Sequence, residues 1–269
     1  MSGSRQALFQ AVLDRPDEDP PRALYAAFLD AQGDPYGAFI RAQLAQTHAL
    51  RYRSDEEASQ REEEARRLRY AHRTPEWTNG IEKLVQLPKF IRGFVEKVVV
   101  DAEQYLTHAD EIYQRAPIRH LVLSEVGDLA TTIARDPHLA QLASLSLDNT
   151  SKKRPIGDAG LAAIAASSYL HRLKSLEVSF QGIGLPGLEA LCASRALPSL
   201  IYVNLAGNQV EDPREGFGTD SMTGRVVVEG AYLEPFGREI KRGSAISHGY
   251  MRPRGYATFR PSTRSSDRR

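Results

Sequence analysis

The chain has 269 residues, 41% of them hydrophobic and 26% charged, with 35 Lys and Arg against 34 Asp and Glu. That length holds one or two domains with a sizeable core, and a net charge of +1 gives no global field aimed at nucleic acid or membrane. One cysteine, Cys192, excludes an internal disulfide framework or a CxxC metal site, and no run approaches the ~18 apolar residues of a membrane span, so a cytoplasmic protein is the expectation.

The N-terminal stretch from Ser4 to Gln46 predicts three helices. Their apolar stripes are Leu8, Phe9, Val12 and Leu13, then Leu24, Tyr25, Phe28 and Leu29, then Phe39, Ile40 and Leu44. The break between the second and third helices has a mechanism. Gly33 suits a C-terminal cap, Asp34 caps the next helix, and Pro35 opens it. The acidic-Pro turn "DRPDEDPPR", the core "LYAAFLDAQGDP" and the following "GAFIRAQ" resemble the bacterial repeat-companion domain, a short module that precedes leucine-rich-repeat-like arrays. The family places an acid where this chain has Ala27. The resemblance covers about residues 5–46 and implies no chemistry of its own.

Residues 54–73 form a charge run, "SDEEASQREEEARRLRYAHR". Glu57 with Arg61, Glu62 with Arg66 and Glu63 with Arg67 stand four apart in the favourable order, each pair adding ~0.2–0.5 kcal/mol to a solvated helix. Trp77 is expected to pack at the junction where the helical part ends.

From Val95 onward one pattern recurs: apolar, two residues, apolar, one residue, apolar, two residues and a polar position. It is seen at Val95, Val98, Val100 and Glu103, then at Ile118, Leu121, Leu123 and Val126. Further copies stand at Leu142, Leu145, Leu147 and Thr150, at Leu173, Leu176, Val178 and Gln181, and at Leu200, Val203, Leu205 and Asn208. Segments with apolar residues at spacings of three and four lie between the copies, as in Leu185, Leu188 and Leu191. Asp158 or Gly157 and, further on, Pro186 suit helix starts. Strand then helix, five times over, at offsets of 23, 24, 31 and 27 residues, resembles the ribonuclease-inhibitor-like class of leucine-rich repeats. The resemblance implies an α/β fold: a short solenoid of parallel strands with helices on the convex side, preceded by an α-helical N-terminal domain. It also implies that the position of Asn208 uses a side-chain amide to satisfy backbone groups at the turn. The expected organisation is a helical domain over 1–50, a charged helix and junction over 51–93, about five repeats over 94–211, a terminal cap over 212–237 and a disordered basic tail over 238–269.

Alternation along each strand sends the residues between the buried ones to the concave face. That face is polar, small and mildly acidic toward its C-terminal end, and His120, Asp148, Glu177, Tyr202 and Asn204 are its candidate contacts for a protein or peptide partner. Five strands at ~4.8 Å and five residues at ~3.3 Å give roughly 400 Å², half of the ~800 Å² a standard protein interface uses per partner. An alternative reading rests on the tail, where Arg242, Tyr250, Arg252, Arg254, Tyr256 and Arg260 interleave arginine with aromatic rings suited to the phosphates and bases of RNA or DNA.

Enzyme signatures are absent from the sequence: no P-loop, no GxSxG elbow and no metal pair among the seven histidines. Cys192, inside the apolar "LEALCASRAL", reads as a buried inert thiol. The expectation is a non-catalytic interaction module or scaffold without cofactor or metal.

Overall fold

The computed structural model of the chain describes residues 2–208, except 53, 73, 74 and 150–152. The architecture is mixed α/β: an N-terminal helical region followed by a six-stranded, mostly parallel sheet. The predicted C-terminal cap and basic tail lie outside the described residues.

Helices α1 (Ser2–Asp14), α2 (Pro20–Asp30) and α3 (Pro35–Arg51) form the N-terminal region. The Asp34 carboxylate accepts from the Tyr36 amide at 3.0 Å, and Pro35 occupies the first turn of α3. Gly33 turns the chain at φ +69°, the left-handed region that glycine enters without steric cost. Leu24, expected in the buried stripe of α2, is instead 59% exposed. The buried arc of that helix runs through Arg22, Tyr25, Ala26 and Leu29. Helix α4 (Asp55–His72) packs along α3 through Ala58 and Ala65. On its solvent side Glu63 pairs with Arg67 at 2.9 Å, while Arg61 turns to Glu64 and Arg66 to Glu63, both three residues away.

The sheet has the order β1 (Gln86–Ile91), β2 (Phe94–Asp101), β3 (His120–Ser124), β4 (Ser144–Asp148), β5 (Ser175–Glu177) and β6 (Tyr202–Asn204). Neighbours in space are also neighbours in sequence. β2 to β6 are parallel, with Val98, Leu121, Leu145, Leu176 and Val203 in one row. β1 runs antiparallel to β2 through a tight turn at Arg92 (φ +52°) and Gly93 (φ +89°), and its pairing is broken by a bulge at Lys89.

Helices connect the parallel strands: α5 (Ala102–Arg115), α6 (Ala130–Ile133), α7 (Gly157–Ala165) and α8 (Leu185–Cys192). The segment 127–137 between β3 and β4 holds only the four residues of α6 between short 3₁₀ turns. Two β-branched threonines in α6 and the Asp136–Pro137 break limit it.

Each strand–helix unit is tied to the one before it by recurring side-chain bonds. Asn208 accepts from the Gln181 and Ile183 amides at 2.8 and 3.1 Å and donates to the Val178 carbonyl at 2.7 Å. Gln181 acts the same way one unit earlier, accepting from the Ile156 amide at 3.0 Å and donating to the Leu147 carbonyl at 2.6 Å. The serine hydroxyls of Ser167 and Ser194 donate back to the Ala134 and Ala165 carbonyls. Asp158, inside the first turn of α7, does not cap its own helix. Its Oδ1 accepts from the Gly184 and Gly187 amides at 2.7 and 3.0 Å, capping α8 of the next unit. One apolar core runs without interruption from Val12 to Leu205. Trp77 joins it at the junction, 7% exposed and stacked on Tyr36 at 4.9 Å.

Candidate interaction surface

The two faces of the sheet differ sharply. Val98, Val100, Leu121, Leu123, Leu145, Leu147 and Leu176 are buried on one side. On the other, the alternate residues are half-buried or exposed. The register sorts them into rows. Lys97, His120, Ser144, Ser175 and Tyr202 form the first; Val99, Val122, Ser146, Glu177 and Asn204 the second; Asp101, Ser124 and Asp148 the third. The five expected contact residues thus fall on a single face of one sheet. In the first row Tyr202 sits at the β6 edge and His120 on the interior strand β3, Glu177 and Asn204 are neighbours in the second, and Asp148 lies in the third. Glu177 and Tyr202 are exposed, Tyr202 to 47%, whereas His120, Asp148 and Asn204 are half-buried. Glu177 accepts a hydrogen bond from the Ser146 hydroxyl at 3.3 Å, and Asn204 accepts from the Ala206 amide at 3.0 Å. Asp101 is occupied as the N-terminal cap of α5, bonding the Glu103 amide at 2.9 Å.

Strand β1 widens this face beyond the five strands that the repeat pattern predicts. It sets Lys89 opposite Lys97 and Gln86 opposite Val99. Six strands bring the face to roughly 480 Å², still well under the ~800 Å² of a standard interface. The added corner is basic. Burial together with Arg119, Lys97, Arg92 and Lys89 lowers the His120 imidazole to a pKa of about 4, so the ring is neutral at physiological pH.

Beneath the strand N-termini lies a second polar feature, the ion-pair network that joins the helical region to the sheet. Glu96, 2% exposed, meets the fully buried Arg22 at 3.0 Å and Arg92 through two bonds of 3.0 and 3.1 Å. Arg92 also reaches Asp19 and the Asp17 and Pro16 carbonyls. Asp17 pairs in turn with Arg119 and Arg172, spanning the third and fifth strands. The turn "RPDED" is therefore the clasp between the two regions. Two sequence signals mark the network: a lone glutamate inside the apolar "FVEKVVV" and an arginine inside "PPRALYAAFL".

Among the described residues no group of three His, Cys, Asp or Glu side chains is placed to hold a metal ion, and no helix is long and apolar enough to cross a membrane. The Cys192 thiol is 7% exposed, and burial with nearby Glu189 pushes it up to a pKa of about 11, which keeps it protonated at neutral pH. Arg242, Tyr250, Arg252, Arg254, Tyr256 and Arg260 lie outside the described residues. No family model matches this sequence, and a search of curated proteins finds no relative.

Proposed function

We propose that this chain is a short leucine-rich-repeat solenoid acting as a non-catalytic protein-interaction module in the cytoplasm, with the N-terminal helices serving as its entry cap. One observation carries the reading. A parallel sheet ordinarily has both faces covered and apolar, yet here the strands alternate between a leucine face and a polar, partly exposed face in register over five strands. The cross-unit bonds of Asn208, Gln181, Ser167, Ser194 and Asp158 support the stacked-repeat part of it, because stacked units must share their interfaces. The sheet face fits an extended peptide or a loop of a partner protein.

The test compares three forms of the chain as bait in cytosol, each checked for an unchanged melting curve. These are the unaltered chain, the face variant Glu177→Lys/Tyr202→Ala, and a chain ending at residue 237. Capture lost in the face variant and kept in the shortened chain supports the reading. Capture lost only on shortening, with retention on heparin or RNA falling steeply with salt, moves the function to the basic tail and overturns it.

A further inference from the structure

The exposed sheet face carries an uncompensated cluster of positive charge. Lys89 and Lys97 are direct cross-strand partners, and Lys97 is in turn paired with His120. The two lysines stand one strand spacing apart, ~4.8 Å, and like charges directly opposite one another destabilise a sheet. The arginines close by are compensated: Arg92 by Glu96 and Asp19, Arg119 by Asp17. Neither lysine has a carboxylate partner among the described residues. His120, next to Lys97 in the row, is kept neutral mainly by its burial, with Arg119 and the two lysines adding to the effect. Moving across the face, the first row continues with Ser144 and Ser175, both short hydroxyl side chains. The sign then reverses at Glu177, which is exposed and has one carboxylate oxygen on the Ser146 hydroxyl.

We propose that this face takes an extended peptide of mixed charge, whose acidic side chain settles between Lys89 and Lys97 and whose basic side chain meets Glu177. The proposal rests on the reading of the face as a docking surface and specifies its occupant. Lys97 on β2 and Glu177 on β5 are three strand spacings and one row apart, ~16 Å, which an extended chain crosses in about five residues at ~3.3 Å each. The ~480 Å² available suits such a segment better than a folded partner's interface. A polymer of one sign is disfavoured at one end or the other: phosphates of a nucleic acid meet Glu177, and a polybasic segment meets the lysines.

The experiment uses the full-length chain and a fluorescein-labelled peptide with a Glu pair and an Arg pair separated by three small residues. Anisotropy titrations read its affinity for the unaltered chain, for Lys89→Gln/Lys97→Gln and for Glu177→Gln. The expected result is a roughly tenfold loss in the lysine variant and a several-fold loss in Glu177→Gln. Without peptide, the lysine variant melts higher than the unaltered chain, since the repulsion is relieved. Equal affinity for the unaltered chain and the lysine variant overturns the proposal. So does an oligonucleotide that displaces the peptide and itself depends on Lys89 and Lys97, because the occupant is then a nucleic acid. If partner capture still requires Tyr202 and Glu177 while the peptide ignores the lysines, the docking surface stands and its assigned occupant falls. If neither depends on the face, both fall.

Discussion

Replacing Glu96 with Gln isolates the clasp between the helical region and the sheet. The change is nearly isosteric, so packing is conserved while the negative charge disappears. Arg22 is then fully buried opposite an amide, with the Pro16 and Arg92 carbonyls as its other acceptors at 2.8 and 3.3 Å and its Nε already without a partner. Burial weighs heavily on both partners even in the intact pair: it pushes the Glu96 carboxyl up and lowers the Arg22 guanidinium to a pKa of about 10. Removing one member of such a pair costs about 3–5 kcal/mol, because the charge left behind is uncompensated. At ~2–4 °C per kcal/mol for a unit of this size, Tm falls by roughly 6–20 °C. Calorimetry and urea titration measure both quantities. The companion variant Arg22→Met/Glu96→Leu removes both charges and is expected to lose less than the sum of its single changes, a coupling of at least ~1 kcal/mol. If Glu96→Gln costs under ~1 kcal/mol, or if the double variant is simply additive, the account of the clasp as a mutually dependent buried pair is wrong.

Other parts of the fold give three more expected outcomes. His120 is expected to make the protein less stable as pH falls from 6.5 toward 4: the unfolded chain takes up a proton that the folded ring refuses until about pH 4. The loss is about 1–3 kcal/mol after allowance for partial exposure, and His120→Asn should flatten that slope in urea titrations at pH 4.5 and 7. Asn208→Ala strips the acceptor from the Gln181 and Ile183 amides. A cost of ~2–6 kcal/mol is expected for the two donors at ~1–3 kcal/mol each, with hydrogen exchange at those two amides rising first. Gly187→Ala places a Cβ 2.5 Å from Asp158 Oδ1, so it should displace the cross-unit cap and cost ~1–2 kcal/mol. In a double-mutant cycle with Asp158→Ala the two effects should overlap rather than add.

The strands β2 to β6 were legible because valine or leucine recurs at every second position with mostly polar residues between, and alternation assigns faces without any knowledge of the partner strand. β1 was hidden for specific reasons. Pro88 interrupts its run, Leu87 adopts φ +48° and is 76% exposed, and the turn into β2 uses Arg92 at positive φ, where Asn or Asp is the usual signal. The basic corner at Lys89 was therefore unreadable from the sequence, although alternation around Val98 and Val100 sends its partner Lys97 to the exposed face. Gln181 shows a different obstacle. Its longer amide makes the same cross-unit bonds as Asn208, so a search for asparagine alone passes over it. The clasp depends on Asp17 finding Arg119 and Arg172 more than a hundred positions away, and no local pattern announces a pairing at that separation.

The two ends of the sheet are not equivalent, and β1 is the reason. Strand β1 contains a proline that offers no N–H, a charged lysine and a bulge, features that discourage a further strand from joining. Among the described residues, a further strand–helix unit could follow only on the β6 side, where it would add about 80 Å² to the exposed sheet face. Copying a strand–helix unit would widen that face in steps of one strand while β1 and its turn into β2 stayed as they are.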